Sequence, residues 1–113
     1  MVPDIVKLSV RELVNLLVYK QYDAAISRCA HSRLTSKDVR LAIEQYGRHL
    51  TLPPYNAYQD LDAVQINSDQ SSTWSIRAPL WTAEEGRSDL EVELTVSLVH
   101  GTSVIELDDL RVP

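Results

Sequence analysis

Hydrophobic and polar residues alternate through the last quarter of the chain. Leu90, Val92, Leu94, Val96 and Leu98 take turns with Glu91, Glu93, Thr95 and Ser97. That is the period-2 pattern of a strand with one buried and one wet face. His100-Gly101 interrupts the run and Val104-Ile105-Glu106-Leu107 resumes it, so the pair reads as an antiparallel hairpin. A two-residue turn there sets Leu98 opposite Ser103, Val96 opposite Ile105 and Leu94 opposite Leu107. Continued unbroken, that register would place Asp109 opposite Val92 and turn a carboxylate into the core. One extra residue at Asp108-Asp109 restores the match, with Leu110 opposite Val92 and Val112 opposite Leu90. A β-bulge is therefore expected at the two aspartates.

The first half follows a different period. Val6, Val10, Leu13, Val14 and Leu17 recur at helical spacing from about Asp4 to Tyr19, with Pro3 and Asp4 as start signals. Leu16 and Val18 widen the apolar arc, so this helix should be buried on more than one side. Tyr22, Ala25, Ile26 and Cys29 predict a short second helix, and Val39, Ala42, Ile43 and Tyr46 a third. The third has the clearest punctuation. Thr35 stands as N-cap, Asp38 takes the place of the usual capping-box Glu, and Gly47 ends the helix in the left-handed conformation.

Thr51-Leu52-Pro53-Pro54 breaks the helical pattern, because two successive prolines exclude helix. Tyr55 to Tyr58 reads as an extended connection. A strand is predicted from Asp60 to Asn67 with Val64 and Ile66 inward, then a polar turn over residues 67–71. The next strand, Thr73 to Leu80, turns Trp74, Ile76, Ala78 and Leu80 to one face and Ser75 and Arg77 to the other. Pro79 has no amide donor, which marks an edge or a bulge. Trp81 to Asp89 then forms the loop into the final hairpin. The expected fold is α+β: three N-terminal helices packed on one face of a four-stranded antiparallel sheet, in a single domain 1–113. Residues 1–50 are its helical part and 55–113 its sheet.

Composition narrows the function classes. With 113 residues, 44% of them hydrophobic and 24% charged, the chain is an ordinary globular domain. No run reaches the ~18 apolar residues of a membrane span. The start, Met1-Val2-Pro3-Asp4, has no signal-peptide pattern, and the lone Cys29 forms no internal disulfide. A cytoplasmic location is the expectation. The net charge of −5 is unevenly placed: eight Lys/Arg against five Asp/Glu in residues 1–50, three against eleven in residues 51–113. An acidic sheet repels nucleic-acid phosphates and suits a basic partner, although solvated acidic residues also serve to keep sheet edges unpaired.

The candidate binding patch is the Trp81–Asp89 loop. Glu84, Glu85 and Asp89 crowd three carboxylates around Gly86, with Arg87 among them and Trp81 at the entrance. An aromatic anchor beside acceptors is how a basic partner is recognised. In the plainer alternative, Gly86 supplies a positive φ, Arg87 pairs with a glutamate, and Trp81 packs on the sheet. Familiar catalytic patterns are missing. Cys29 and His31, two apart on one helix, point about 200° from each other and do not meet. The three glycines are isolated, there is no serine nucleophile elbow, and no zinc or EF-hand spacing occurs. No catalytic residue, metal or cofactor is assigned.

Helices first, then a meander ending in a long hairpin and a Leu-Arg-Val-Pro tail, resembles the nuclear transport factor 2-like (cystatin-like) α+β cone. That resemblance implies a curved sheet wrapped round a long N-terminal helix, with a pocket at the wide end. In one respect the chain departs from it. The superfamily carries a strand between its second and third helices, where Ser32-Arg33-Leu34 leaves room for almost nothing. The stretch from Leu80 to Leu90, LWTAEEGRSDL, resembles one typical of small uncharacterised bacterial proteins.

Three functions follow as expectations. The first is a non-enzymatic interaction protein that binds a basic protein, such as an immunity protein neutralising a toxin. The second is a small-ligand binder or enzyme with a cone pocket lined by Trp74, Tyr22 and Tyr46. The third is a homodimer pairing sheet faces, for which Arg77, Glu91 and Glu93 decide.

Overall fold

The computed structural model describes residues 2–66 and 72–113, so the turn expected over 67–71 lies outside the described residues. Helix α1 is Asp4–Val18, α2 is Tyr22–Arg28 and α3 is Ser36–Tyr46. Helix α1 buries Val6, Val10, Leu13, Val14 and Leu17, the five positions its periodicity marks. Helix α3 carries the full capping box. Thr35 Oγ1 accepts from the Asp38 amide at 3.1 Å, and Asp38 Oδ2 accepts from the Thr35 amide at 2.9 Å. Hydrogen bonds to that carboxyl from the Thr35 amide and, second, from the Thr35 side chain hold it below its ordinary pKa. Gly47 closes the helix at φ 77°, as its position predicts.

The sheet corrects the expected fold class. It has six strands among the described residues, not four, and it is mixed rather than antiparallel. Strands β1 (His31–Ser32), β2 (Leu50–Thr51), β3 (Asp62–Ile66), β4 (Ser72–Thr82), β5 (Gly86–Val99) and β6 (Thr102–Arg111) lie in the order β1-β6-β5-β4-β2, with β3 also on β4. Strand β1 runs parallel to β6, tied by Ala30 N–H to Ile105 O at 2.8 Å and Arg33 N–H to Leu107 O at 2.9 Å. It stands between α2 and α3, where the sequence reading leaves no room for a strand. Two-residue strands carry no period, so β1 and β2 are invisible to a pattern search. His31 accordingly belongs to a strand and not to a helix end.

The face assigned to β3 is also inverted. Val64 pairs with Ser75 and Ile66 with Thr73, both outward positions of β4. Val64 is 63% and Ile66 43% exposed. Ala63, opposite Ile76, takes the inward place instead. A one-residue offset flips every side chain of a strand, and an edge strand resists that error least.

The long hairpin follows the expected register as far as Arg111, but Val112, expected opposite Leu90, lies beyond β6 and is 52% exposed. Leu98 faces Ser103, Val96 faces Ile105, Leu94 faces Leu107 and Val92 faces Leu110, with the register shift falling between Glu93 and Leu94 so that Asp108 is the extra residue. The Asp108 carboxylate accepts from Thr95 Oγ1 at 2.7 Å on the outer face. His100 (φ 51°) and Gly101 (φ 77°) both sit in the left-handed region, as a two-residue hairpin turn of this twist requires.

The core lies between the helices and the inner face of β4–β6. Trp74, Ile76, Ala78, Leu80, Leu90, Val92, Leu94, Val96, Ile105 and Leu107 are all buried there, in one cluster with residues of α1, α2 and α3. Trp74 is a core side chain, Tyr46 bonds outward to Glu85, and Tyr22 sits on the rim of a groove between α1 and α3. The three aromatics expected to line a cone pocket therefore do not converge.

Candidate binding site

The expected loop from Trp81 to Asp89 is mostly strand. Strand β4 runs on to Thr82, β5 begins at Gly86, and only residues 83–85 turn. Gly86 adopts φ 71°, and a Cβ there would lie 3.7 Å from the Trp81 ring, so the indole rests beside the glycine.

The turn is bonded to the end of α3. Glu84 accepts from the His49 amide at 2.9 Å, and its other oxygen lies 2.8 Å from His49 Nδ1. Those hydrogen bonds hold the Glu84 carboxyl below the ordinary value of 4.5. The Tyr46 hydroxyl donates to the Glu85 carboxylate (2.9 Å) and accepts from the Asp89 amide (3.3 Å). Thr82 Oγ1 accepts from the Glu85 amide at 3.0 Å. Two of the three carboxylates proposed from sequence therefore have structural partners. Asp89 has only its backbone engaged and leaves its carboxylate in solvent.

Trp81 and Arg87 face each other across β4 and β5 on the outer side of the sheet, away from the helices. There they line a slot of about 360 Å³ beneath the segment that carries the 3₁₀ turn Tyr55–Tyr58. The slot exists because β4 is unpaired on that side between β2 and β3, at Ala78–Leu80. Pro79 forbids a donor at its centre. Opposite it, β5 bulges: Pro79 pairs with Glu91 and Trp81 with Arg87, so Leu80 alone spans Ser88–Leu90. Asp60, Asp62, Arg77 and Glu91 complete the charged lining.

Asp60 and Asp62 escaped sequence reasoning as site residues, and Arg77 and Glu91 entered it only as part of a dimer face, because such residues are ordinary on the wet face of strands. The available signal was the outward series Arg77, Pro79, Trp81, interrupted by a residue that cannot pair. Further along the same face Glu93 binds Arg111 at 3.1 Å and lies 3.9 Å from Arg77, while Arg111 reaches Asp109 at 3.5 Å. The face neutralises most of its charges internally there, and Glu93 is only 22% exposed.

Tyr58 lies between this slot and a second groove, about 660 Å³, formed by α1 and the 3₁₀ turn. Ile5, Leu8 and Tyr55 are exposed on that groove, and the Arg11 guanidinium stands 5.6 Å from the Tyr55 ring centre. The Tyr58 hydroxyl is buried with no hydrogen-bond partner among the described residues. Burial pushes its pKa up from 10 to about 12, against an opposing pull from Arg11. The neutral phenol is thus favoured by folding, and its contribution is complete below pH 10. It is lost as pH rises from 10 through about 12. Urea midpoints at pH 9 and about pH 11 should fall further in the native protein than in Tyr58→Phe. Equal losses in both would refute the assignment.

Among the described residues, no three His, Cys, Asp or Glu side chains come close enough to hold a metal ion. No helix there is long and apolar enough to cross a membrane. Fold and surface together define an α+β protein with one helical layer, one mixed sheet and a charged slot on the open sheet face. The family model described as a domain of unknown function (DUF7668) matches residues 14–113, and the chain belongs to that family. The match covers every residue lining the slot but begins after the α1 residues of the larger groove. No curated protein and no solved structure matches the chain.

Proposed function

We propose that this chain is a non-enzymatic recognition module for a basic protein, which docks on the outer face of the sheet around Trp81. The supporting observation is the set of carboxylates that the fold leaves unengaged there. Asp60, Asp62 and Asp89 are exposed, and none has a side-chain bond among the described residues. A half-buried tryptophan amid free acceptors suits lysine and arginine side chains of a partner. Neutralisation of a basic toxin, as an immunity protein does, is the particular form of this reading that the acidic half of the chain favours.

The geometry changes which residues should be tested. Reversing Glu84 or Glu85 would break contacts to His49 and Tyr46, confusing folding with binding. Reversing Asp60, Asp62 and Asp89 avoids that. Tagged protein should capture a stoichiometric basic protein from source-cell lysate at low salt and release it at high salt. The triple Asp→Lys variant should bind that protein at least about tenfold more weakly. Undiminished capture by the folded variant would overturn the proposal.

A further inference from the structure

Two charged side chains of the slot have no hydrogen-bond or ion-pair partner for a key polar group among the described residues. Glu91 Oε2 is buried and accepts no hydrogen bond from the described residues. The Arg87 guanidinium has no ion pair or hydrogen bond among the described residues. Both project from the outer face of β5, one on each side of its bulge, with Trp81 paired to Arg87 and Pro79 paired to Glu91. A buried carboxylate oxygen without a donor is unfavourable in a folded protein, and so marks a place where a donor is received.

The mixture of charges restricts what fits. A simple cation drawn to Glu91, Asp60 and Asp62 would also meet Arg77 and Arg87, and a simple anion would meet the three carboxylates. A molecule carrying both charges satisfies both ends. We infer that the slot binds a small zwitterion, with a primary ammonium on Glu91, a carboxylate on Arg87 and a short methylene chain across Trp81 and Pro79. The guanidinium offers the carboxylate two parallel donors, and the indole face suits methylenes next to an ammonium. At about 360 Å³ the slot is at the small end of ligand sites, the scale of an amino acid. This site is independent of whether a protein docks over it, because the probes below contain no protein.

The experiment is an amide and indole NMR titration of the whole chain with γ-aminobutyrate, δ-aminovalerate and ε-aminocaproate. Pentylamine and valerate, each carrying a single charge, are the controls. One of the three zwitterions should shift the Trp81 indole signal and bind at least about tenfold more tightly than either control. Arg87→Gln and Glu91→Gln should each reduce it to the level of the controls. The arginine is exposed, so its variant keeps the test valid if the glutamine at the half-buried position 91 disturbs folding. Pentylamine or valerate binding as well as the best zwitterion would overturn the assignment. So would the absence of Trp81 shifts with every probe at millimolar concentration, or undiminished binding by a folded Arg87→Gln variant.

Discussion

Trp74→Ala should destabilise the protein by about 3–5 kcal/mol, the usual loss for deleting a large core aromatic. Trp74 is 5% exposed and belongs to the cluster that joins the inner sheet face to α1. Its cross-strand partner on β5 is Val96, and Gln65 of β3 lies on its other side. Since small domains are stable by only about 5–15 kcal/mol, a loss of that size shifts the urea midpoint far enough to measure easily. The same substitution separates two ideas about this residue. A pocket-lining tryptophan could be removed with little loss of stability but a large loss of ligand binding. A change below about 1 kcal/mol would return Trp74 to the pocket-lining role and contradict the packing described above.

Trp74 also shows where sequence reading ends. Alternation in Thr73–Leu80 assigned its inward direction correctly, because period 2 reports the face a side chain takes. It could not report whether that face meets a cavity or a wall of helix. The same limit runs through the sheet. The hairpin register and the bulge at Asp108 were legible, since six apolar positions on two long strands had to coincide and one extra residue alone achieved it. Strands β1 and β2 were not, because two residues joined by backbone hydrogen bonds leave no side-chain signature. Strand β3 has one neighbour and little buried surface, so its apolar residues gave a misleading direction.

The binding patch was half legible. Trp81, Arg87 and the carboxylates were visible as an unusual local cluster. Which carboxylates the fold engages, however, depends on Tyr46 and His49, nearly forty residues earlier in the chain. Glu91 was hidden among the outward glutamates of a solvated strand. The unpaired stretch of β4 and the segment covering it set that glutamate apart from Glu93, which pairs with Arg111. A site assembled from the wet faces of strands leaves no periodic trace, because solubility asks for the same residues.

Ser88→Ala tests how that site is held in shape. Ser88 is 5% exposed, and its hydroxyl bridges the bulge in β5. It donates to the Leu80 carbonyl at 2.7 Å and accepts from the Leu90 amide at 3.2 Å. Alanine removes the hydroxyl that both groups share while keeping the backbone and the volume nearly intact. Leu80 and Leu90 are buried, so no solvent replaces the lost bonds, and a cost of about 2–3 kcal/mol is expected. The bulge also sets the spacing between Arg87 and Glu91, since it lies between the Trp81–Arg87 and Pro79–Glu91 pairs. Loosening it should weaken zwitterion binding even though Ser88 faces the core and touches no ligand. Urea unfolding and the same NMR titration, both on Ser88→Ala, measure the two effects separately. A stability change within about 0.5 kcal/mol of the native protein would mean that the backbone holds the bulge without the hydroxyl. The expected loss of about 2–3 kcal/mol with unchanged zwitterion affinity would uncouple the bulge from the slot, leaving Arg87 and Glu91 positioned by the segment that covers them.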